Sequence, residues 1–547
     1  MNIRKWVLYN AVFYNGKASQ GAVIGKIIAE HPEAKDKLKD IAKDVAQTIK
    51  EVNSMIPEQQ RKELESIAPE LLQEKPKEEP KLKQLPNATE GNVVMRLAPE
   101  PSKYMHIGHA LVFLIQNMYA KEYKGKCYLR FEDTNPEKST KEFYESIKED
   151  LGWLGITYDK EVILSEHNEL FYEYAEKLIK TGSAYVCSCP QEELKTLRMK
   201  KLACPCRKNS AISEWKKMLD KTYKEGQRTL RLIGDMTSDN GTLRDPILFR
   251  ICEVPHWKQG TKYTVWPMYD FANAIADAHW KTTHVIRSKE FELREELQTL
   301  IREKLSLKGP IVTEVGRYKI AGATTQGREI RQMIENKEIT GWDDPRLVTI
   351  KALRRRGFVP QMFKELALIA GLGKTGGNID FRVLSSINRK LIDSVAHRYF
   401  FISEPKLISV DGAPEQKIEL DLHPESKKGG RAFKPNSNFI IENKDYESMN
   451  QKEEYRLMEC LNLRKDKDKL TFTSTKNASF RGTKRIHWLP ANENIKASVL
   501  MPDGNTIHGL AETNVHKVNE GEVIQFERFG FCRLDNKKSM EFRYTHE

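Results

Sequence analysis

The chain has 547 residues, too many for one ordinary core, which implies about three to four domains. Lys and Arg number 90 against 77 for Asp and Glu, a surplus of 13 that suits a polyanionic partner such as nucleic acid, although a soluble basic protein without one would carry it too. Eight cysteines do not make a secreted disulfide framework, and no run of about 18 apolar residues spans a membrane, so a reducing cytoplasm is expected; a monomer is the expected state.

Residues 1–72 read as helices, because apolar residues recur at three and four in "HPEAKDKLKDIAKDVAQTIKEVNSMI". Residues 73–90 are rich in Lys, Glu and Pro and read as a linker. A new domain should begin near Gly91. "NVVMRLAP" is a short apolar strand stopped by proline, "HALVFLIQNMYAKEY" has helical periodicity, and "GKCYLRFED" is a second strand. Strand, helix and strand make a βαβ unit and hence a parallel α/β sheet. His106 and His109 fall where the first strand hands over to the helix. Open α/β sheets bind ligands at that end, and free helix-start amides favour anions. Two surface histidines in a loop are the plainer alternative.

Cys187, Cys189, Cys204 and Cys206 form CxC-x14-CxC, which can close a tetrahedral thiolate site for structural zinc. Each pair is tighter than the usual zinc spacer, so a reduced cysteine cluster is the other reading. After about residue 400, short strands such as "KIELDLHP", "KLTFTST" and "EVIQFERFGFCRLD" alternate with turn residues, which argues for an all-β region of one or two barrels.

"RLAPEPSKYMHIGHA" resembles the HIGH signature of class I aminoacyl-tRNA synthetases, and specifically the glutamyl/glutaminyl branch. "RFEDTNP", "RDPILFR", "WPMYDFANAIAD", "GWDDPRL", "RRRGF", "SINRKLID" and "QFERFGF" follow in that branch's order, from residue 91 to the end. A β-rich C-terminus resembles the archaeal type of glutamyl enzyme. The resemblance implies a Rossmann-type catalytic domain split into 91–178 and 266–312. It further implies an acceptor-stem insertion at 179–265 holding the cysteines, a KMSKS-like loop with stem-contact helices at 313–400, and anticodon-binding barrels at 401–547. It also makes 1–72 a tRNA-contacting domain, with Lys17 and Lys26 facing phosphates, and makes "RRRG" at 354–357 a stem contact; an ordinary helical bundle and a solvated basic turn are the plainer alternatives.

The activity so implied is ligation of L-glutamate to the 3′ end of tRNA(Glu) through an ATP-made adenylate. ATP and Mg2+ are required, and tRNA(Gln) is a second substrate in a host lacking a glutaminyl enzyme. His106 and His109 would donate to phosphate in a transition state that spreads negative charge, with Gly108 leaving room for the nucleotide. By matching motif positions, Arg96, Glu100, Glu132, Asp133, Tyr269 and Asn273 would form the amino-acid pocket. Arg96 would hold a substrate carboxylate, and Glu132 the α-ammonium. Arg287 would pair with the γ-carboxylate, because a buried charge needs a fixed partner and a neutral amide does not. That favours glutamate over the glutaminyl alternative, unless Arg287 is a surface arginine paired with Glu290 or Glu292.

The chain departs from the family at "GRYKIAGATTQGREIR", residues 316–331. Counting back from Gly341 puts Gln326, Gly327 and Arg328 where the family has Ser-Lys-Arg, so the loop lysine is Gly327 here. Arg328 and the upstream Lys319 are the remaining ATP-loop candidates, with Arg328 counted among the catalytic residues. Arginine is not equivalent to lysine, so a tRNA-binding relative with impaired activation stands as a further alternative. On this spacing alone, a lysine placed at 327 should speed adenylate formation.

Overall fold

The computed structural model describes residues 2–13, 16–31, 38–72, 81–208, 211–321, 323–373 and 376–547. The chain divides into two compact units, Met1–Pro80 and Lys81–Glu547.

The first unit holds helices Ile3–Phe13, Gln20–Glu30, Leu38–Asn53 and Pro57–Ile67. Ile41, Val45 and Val52 share one face through their helical spacing, and they bury with Val7, Leu8, Val23, Ile27 and Leu64. Gln60 is buried among them and would be costly unpaired. Its amide donates to the carbonyls of Gly16 at 2.9 Å and Val52 at 2.8 Å.

Residues 73–80 of the predicted linker lie outside the described residues. Residues 81–90 behave otherwise than their composition suggests. Leu85 is buried in the core of the second unit. The Lys83 carbonyl accepts from Tyr119 Oη at 2.7 Å, and the Pro86 carbonyl lies 3.0 Å from His284 Nε2. Polar composition masked a segment whose Leu82, Leu85 and Ala88 pack on the core and whose backbone groups find partners there.

Val94–Leu97, Lys126–Phe131 and Lys160–Ile163 form a parallel sheet in that order. The helix Ile107–Glu122 connects the first two strands and buries Ala110, Leu111, Leu114 and Ile115. A second parallel pair, His284–Ser288 with Ile311–Val315, meets the other edge of the first strand. There the Thr283 N–H donates to the Val94 carbonyl at 3.0 Å, and the Val94 N–H donates to Thr283 Oγ1 at 2.8 Å. The direction of strand progression therefore reverses beside Val94–Leu97, and a crevice opens at the carboxyl ends of the strands there. Between the two halves, Ala184–Cys187, Thr229–Leu232, Ile247–Ile251 and Val265–Pro267 make an antiparallel sheet.

The helices Ile350–Arg356, Pro360–Ala370 and Phe381–Ile392 lead into strands from Arg398 onward. Two mixed seven-stranded sheets follow, each on its own core. Phe439, Ile441 and Trp488 centre one, and Val499, Phe526 and Phe542 the other. Arg398–Tyr399 and Phe401–Ile402 lie at opposite edges of the sheet built mainly from residues 495–546, which ties the two β bodies together. Gly357 ends the helix Ile350–Arg356 at φ 99°. A Cβ there would stand 2.7 Å from Thr545 Oγ1, so only glycine allows this approach.

Candidate active site

A cleft of about 640 Å³ opens at the switch point, lined by Arg96, Glu100, Lys103, His106, Gly108, His109, Glu132, Tyr269, Arg287, Arg317 and Thr325 among others. At one end His106 caps the helix Ile107–Glu122, and its Nδ1 accepts from the Gly108 N–H at 3.1 Å. His109 Nδ1 accepts from the His106 N–H at 3.3 Å, and the two rings stack at 3.8 Å. With both Nδ1 atoms accepting, each ring carries its proton on Nε2. Burial, then the His109 ring and Lys103, push His106 well below the ordinary imidazole value. Burial and Lys103 push His109 down to about 3. The pair is therefore two neutral N–H donors. Gly108 has a nearer purpose than making room for a nucleotide: a Cβ there would be 3.0 Å from His106 Cε1, so glycine lets the ring fold over the helix start.

The expected amino-acid pocket is a buried charge network. Arg130 Nη1 donates to Asp277 at 2.6 Å, its Nε to Glu132 at 2.9 Å and its Nη2 to Asn273 at 2.8 Å. Asn273 donates to Glu132 at 2.6 Å, and Arg96 lies 3.4 Å from Asp277. Burial works against the charged form of Arg130, but Asp277 and Glu132 outweigh it and raise its pKa. Burial likewise opposes the Asp277 carboxylate, and Arg130 and Arg96 still hold it below the usual range. Glu132 is pushed up by burial, against the pull of Arg130.

Arg130 and Asp277 were missed as site residues, though both stand in quoted motifs. Arg130 is two before Glu132 on a strand and shares its face. Asp277 is four after Asn273 on a helix and shares its stripe. Two expected pocket residues are not in the cleft wall. Asn273 is fully buried behind Glu132. Asp133 faces the other way, as a strand neighbour must, and accepts from Tyr144 Oη, from Ser165 N at 2.8 Å and from Ser165 Oγ at 2.6 Å. Glu100 sits at the exposed rim, accepting from Ser102 Oγ at 2.9 Å. Arg287 is only 6% exposed. It pairs with Glu295 rather than Glu290 or Glu292, and donates to Gln298 at 3.1 Å. Its Nε is buried without a hydrogen-bond partner among the described residues.

The 316–331 segment meets the cleft differently from the expectation. Thr325 and Arg317 line it, whereas Arg328 and Gln326 are exposed and outside its wall. Arg328 sits in the first turn of the helix Gly327–Glu335, which turns it away. Lys319 belongs to the strand Tyr318–Ile320, paired with Asn378, and its side chain lies outside the description. Gly327 is buried.

The four clustered cysteines come together from the end of Ala184–Cys187 and the turn at 204–206. Sγ separations are 3.6 Å for Cys187–Cys204, 3.5 Å for Cys189–Cys204 and 3.6 Å for Cys189–Cys206, and all four lie within 4.8 Å of one another. Thiolates at about 2.3 Å from a tetrahedral zinc stand roughly 3.8 Å apart, so the donor set fits that ion.

Of the expected RNA contacts, Lys17 and Lys26 are exposed, with Lys26 Nζ 5.7 Å from the Tyr9 ring. The 354–357 stretch is largely engaged within the chain. Arg356 is buried and donates to the Thr545 carbonyl at 2.9 Å, Arg355 pairs with Asp535 at 2.7 Å, and Arg354 with Glu149 at 2.7 Å.

Comparison with known proteins places these features. A family described as tRNA synthetases class I (E and Q), catalytic domain, matches residues 92–394. Two anti-codon binding domains of the same class match residues 396–478 and 485–535. Glutamate--tRNA ligase of Pyrococcus furiosus is 40% identical over 97% of this chain and 96% of its own length. That of Sulfolobus acidocaldarius is 38% identical over 98% and 97%. That of Methanopyrus kandleri is 35% identical over 100% and 98%.

Proposed function

Because the chain belongs to the class I tRNA synthetases of the E and Q type, we propose that it joins L-glutamate to the 3′ end of tRNA(Glu) in two steps. In the first, an oxygen of the glutamate α-carboxylate attacks the α-phosphorus of ATP and pyrophosphate leaves. In the second, the terminal ribose of tRNA attacks the adenylate and AMP leaves. The observation that carries the choice of amino acid is Arg287, buried in the cleft wall with an Nε left unpaired. Glu295 and Gln298 take its two Nη groups, and a substrate carboxylate would take the remaining Nε–H as a charge-assisted hydrogen bond. A neutral amide offers a weaker acceptor and an NH2 that finds no acceptor on the guanidinium, which is costly in a buried site.

Arg96 shares one carboxylate, Asp277, with Arg130, so it keeps donors for the substrate. Glu132 accepts from Arg130 and Asn273 and still faces the cleft, where the α-ammonium would meet it. At the other end, neutral His106 and His109 hold N–H donors where charge develops on phosphate oxygens, and they need no reorganisation to do so. Magnesium would arrive with ATP as part of that substrate.

Cys187, Cys189, Cys204 and Cys206 would hold a structural zinc that fixes the insertion. Four thiolates leave it no open position for catalysis. Metal analysis should give about one zinc per chain, and Cys187→Ser with Cys204→Ser should release it. The 1–72 helices would add phosphate contacts through Lys17 and Lys26, supplying affinity more than specificity. A cytoplasmic location is in keeping with eight cysteines outside any disulfide, among the described residues no helix is long and apolar enough to cross a membrane, and the chain would act as a monomer.

The test is ATP–pyrophosphate exchange with glutamate and with glutamine, each with and without bulk tRNA. Exchange with glutamate is expected. Exchange with glutamine instead would overturn the reading of Arg287, and tRNA binding with no exchange would leave a binding protein.

A further inference from the structure

We propose that Lys103, on the loop before His106, supplies the ammonium that meets the leaving phosphates of ATP, in place of a lysine on the 316–331 segment. The proposal rests on the function given above. Its first support is steric. A Cβ built on Gly327 would stand 3.1 Å from Lys103 Cδ and 3.3 Å from Lys103 Cβ. A side chain at 327 would press on the stem of Lys103, which would have to give way by a few tenths of an ångström. The glycine is therefore the seat of a lysine that comes from the opposite wall.

The second support is placement. Lys103 lines the cleft together with His106, Gly108 and His109. Its Nζ has one hydrogen bond among the described residues, to the Thr325 carbonyl at 3.4 Å, and no carboxylate pairs with it there. Arg317, the nearest rival in the wall, is paired with Glu290 at 3.0 Å, and Arg328 is outside the wall. The third support is the clamp. Arg331 donates to the Ser102 carbonyl at 3.0 Å, fixing the loop that carries Lys103 to the helix that begins at Gly327. Burial, with Arg317 and Arg331 nearby, pulls the Lys103 pKa down against Glu100 and Glu290. An arriving polyphosphate would relieve that strain on the charged form.

The chemistry asks for little else. The carboxylate oxygen forms a bond to the α-phosphorus, and the bond from that phosphorus to the bridging oxygen breaks. The electron pair stays on the pyrophosphate, whose leaving oxygen gains negative charge. A fixed ammonium stabilises that charge without transferring a proton. On this assignment the Gly327 departure does not silence the site, because the lysine has changed walls.

The experiment is ATP–pyrophosphate exchange by the full chain with glutamate and bulk tRNA. Lys103→Met should lower kcat about 100-fold, with the glutamate KM within about threefold of wild type. Replacing both, Lys103→Gly with Gly327→Lys, should recover at least about tenfold over Lys103→Gly alone. A lysine needed only for packing could not be replaced from the other wall. Gly327→Lys in the otherwise native chain keeps Lys103 and tests the same point even where Lys103→Met fails to fold. It should lower kcat, because two ammonium stems compete for one space. Lys103→Met exchanging within threefold of wild type, or Gly327→Lys exchanging faster than wild type, would overturn the proposal while the function stands. A wild type without exchange would overturn both.

Discussion

The two ends of the cleft solve opposite electrostatic problems. At the amino-acid end, Arg96, Arg130, Asp277, Glu132 and Arg287 are buried and, with half-buried Glu295, paired before any substrate arrives. At the phosphate end, among the described residues no carboxylate is hydrogen-bonded to the two neutral imidazoles or to Lys103. The difference follows from what each end must distinguish. Choosing glutamate over an amide of nearly the same shape needs fixed groups whose pairing fails with the wrong ligand. Holding a polyphosphate needs positive potential left uncompensated, because the ligand brings the charge. One end is built for selection and the other for stabilisation.

The largest break in that comparison should come from Arg130→Met. It leaves buried Asp277 with only Arg96 at 3.4 Å and buried Glu132 with only Asn273, and removing one partner of a buried ion pair costs about 3–5 kcal/mol. The melting temperature should fall and glutamate binding should vanish. A variant that melts like wild type would mean that the network carries little of the fold's stability. His106→Ala acts at the other end. It removes the helix cap and so should lower the melting temperature, though less than Arg130→Met does, and it should cut kcat for exchange about 100-fold, since it removes one preorganised donor. An effect confined to KM would place His106 in ground-state binding instead. Arg287→Ala should raise the glutamate KM roughly 10- to 100-fold, the loss of about 1.5–3 kcal/mol expected for a charge-assisted hydrogen bond, with the ATP KM little changed. An equal rise in both would remove its assigned role.

Much of this asymmetry was legible in the residue order. "RLAP" followed by a helical run located the switch point, and two histidines at the junction located the phosphate end. The Cys187–Cys206 pattern announced a four-sulfur cluster, since two short CxC turns need only one hairpin to meet. What escaped notice depended on chain crossings. Arg130 meets Asp277 across 147 positions, and nothing local tells which carboxylate a buried arginine will find. Asp133 looked like a twin of Glu132, yet strand alternation sends it to the opposite face. Residues 81–90 looked like linker because composition counts charges and cannot see that Leu85 has a pocket to fill. The seat under Lys103 is the clearest case. A glycine in place of a lysine reads as a loss until the structure shows what occupies its space.

The smallest effect concerns protons. An ordinary imidazole titrates near about 6.5. In the folded chain His106 lies well below that and His109 falls to about 3. Between about 3 and 6.5 the unfolded chain therefore binds a proton on the His109 ring that the folded chain does not. Stability contributed by this ring rises with pH across that window and is lost as pH falls below the unfolded value, by at most about 1.4 kcal/mol per pH unit. Above about 6.5 neither state binds the proton and the contribution is flat. His109→Gln should thus lose stability less steeply than wild type on acidification from pH 6.5 to about 5, read from melting temperatures. Wild-type exchange should show no step near 6.5 between about pH 6 and 8, because its donors there are already neutral. A step at that pH, absent from His109→Gln, would mean that the ring works as a cation. The phosphate end would then be charged by histidine as well as by Lys103, and the contrast with the amino-acid end would be one of degree.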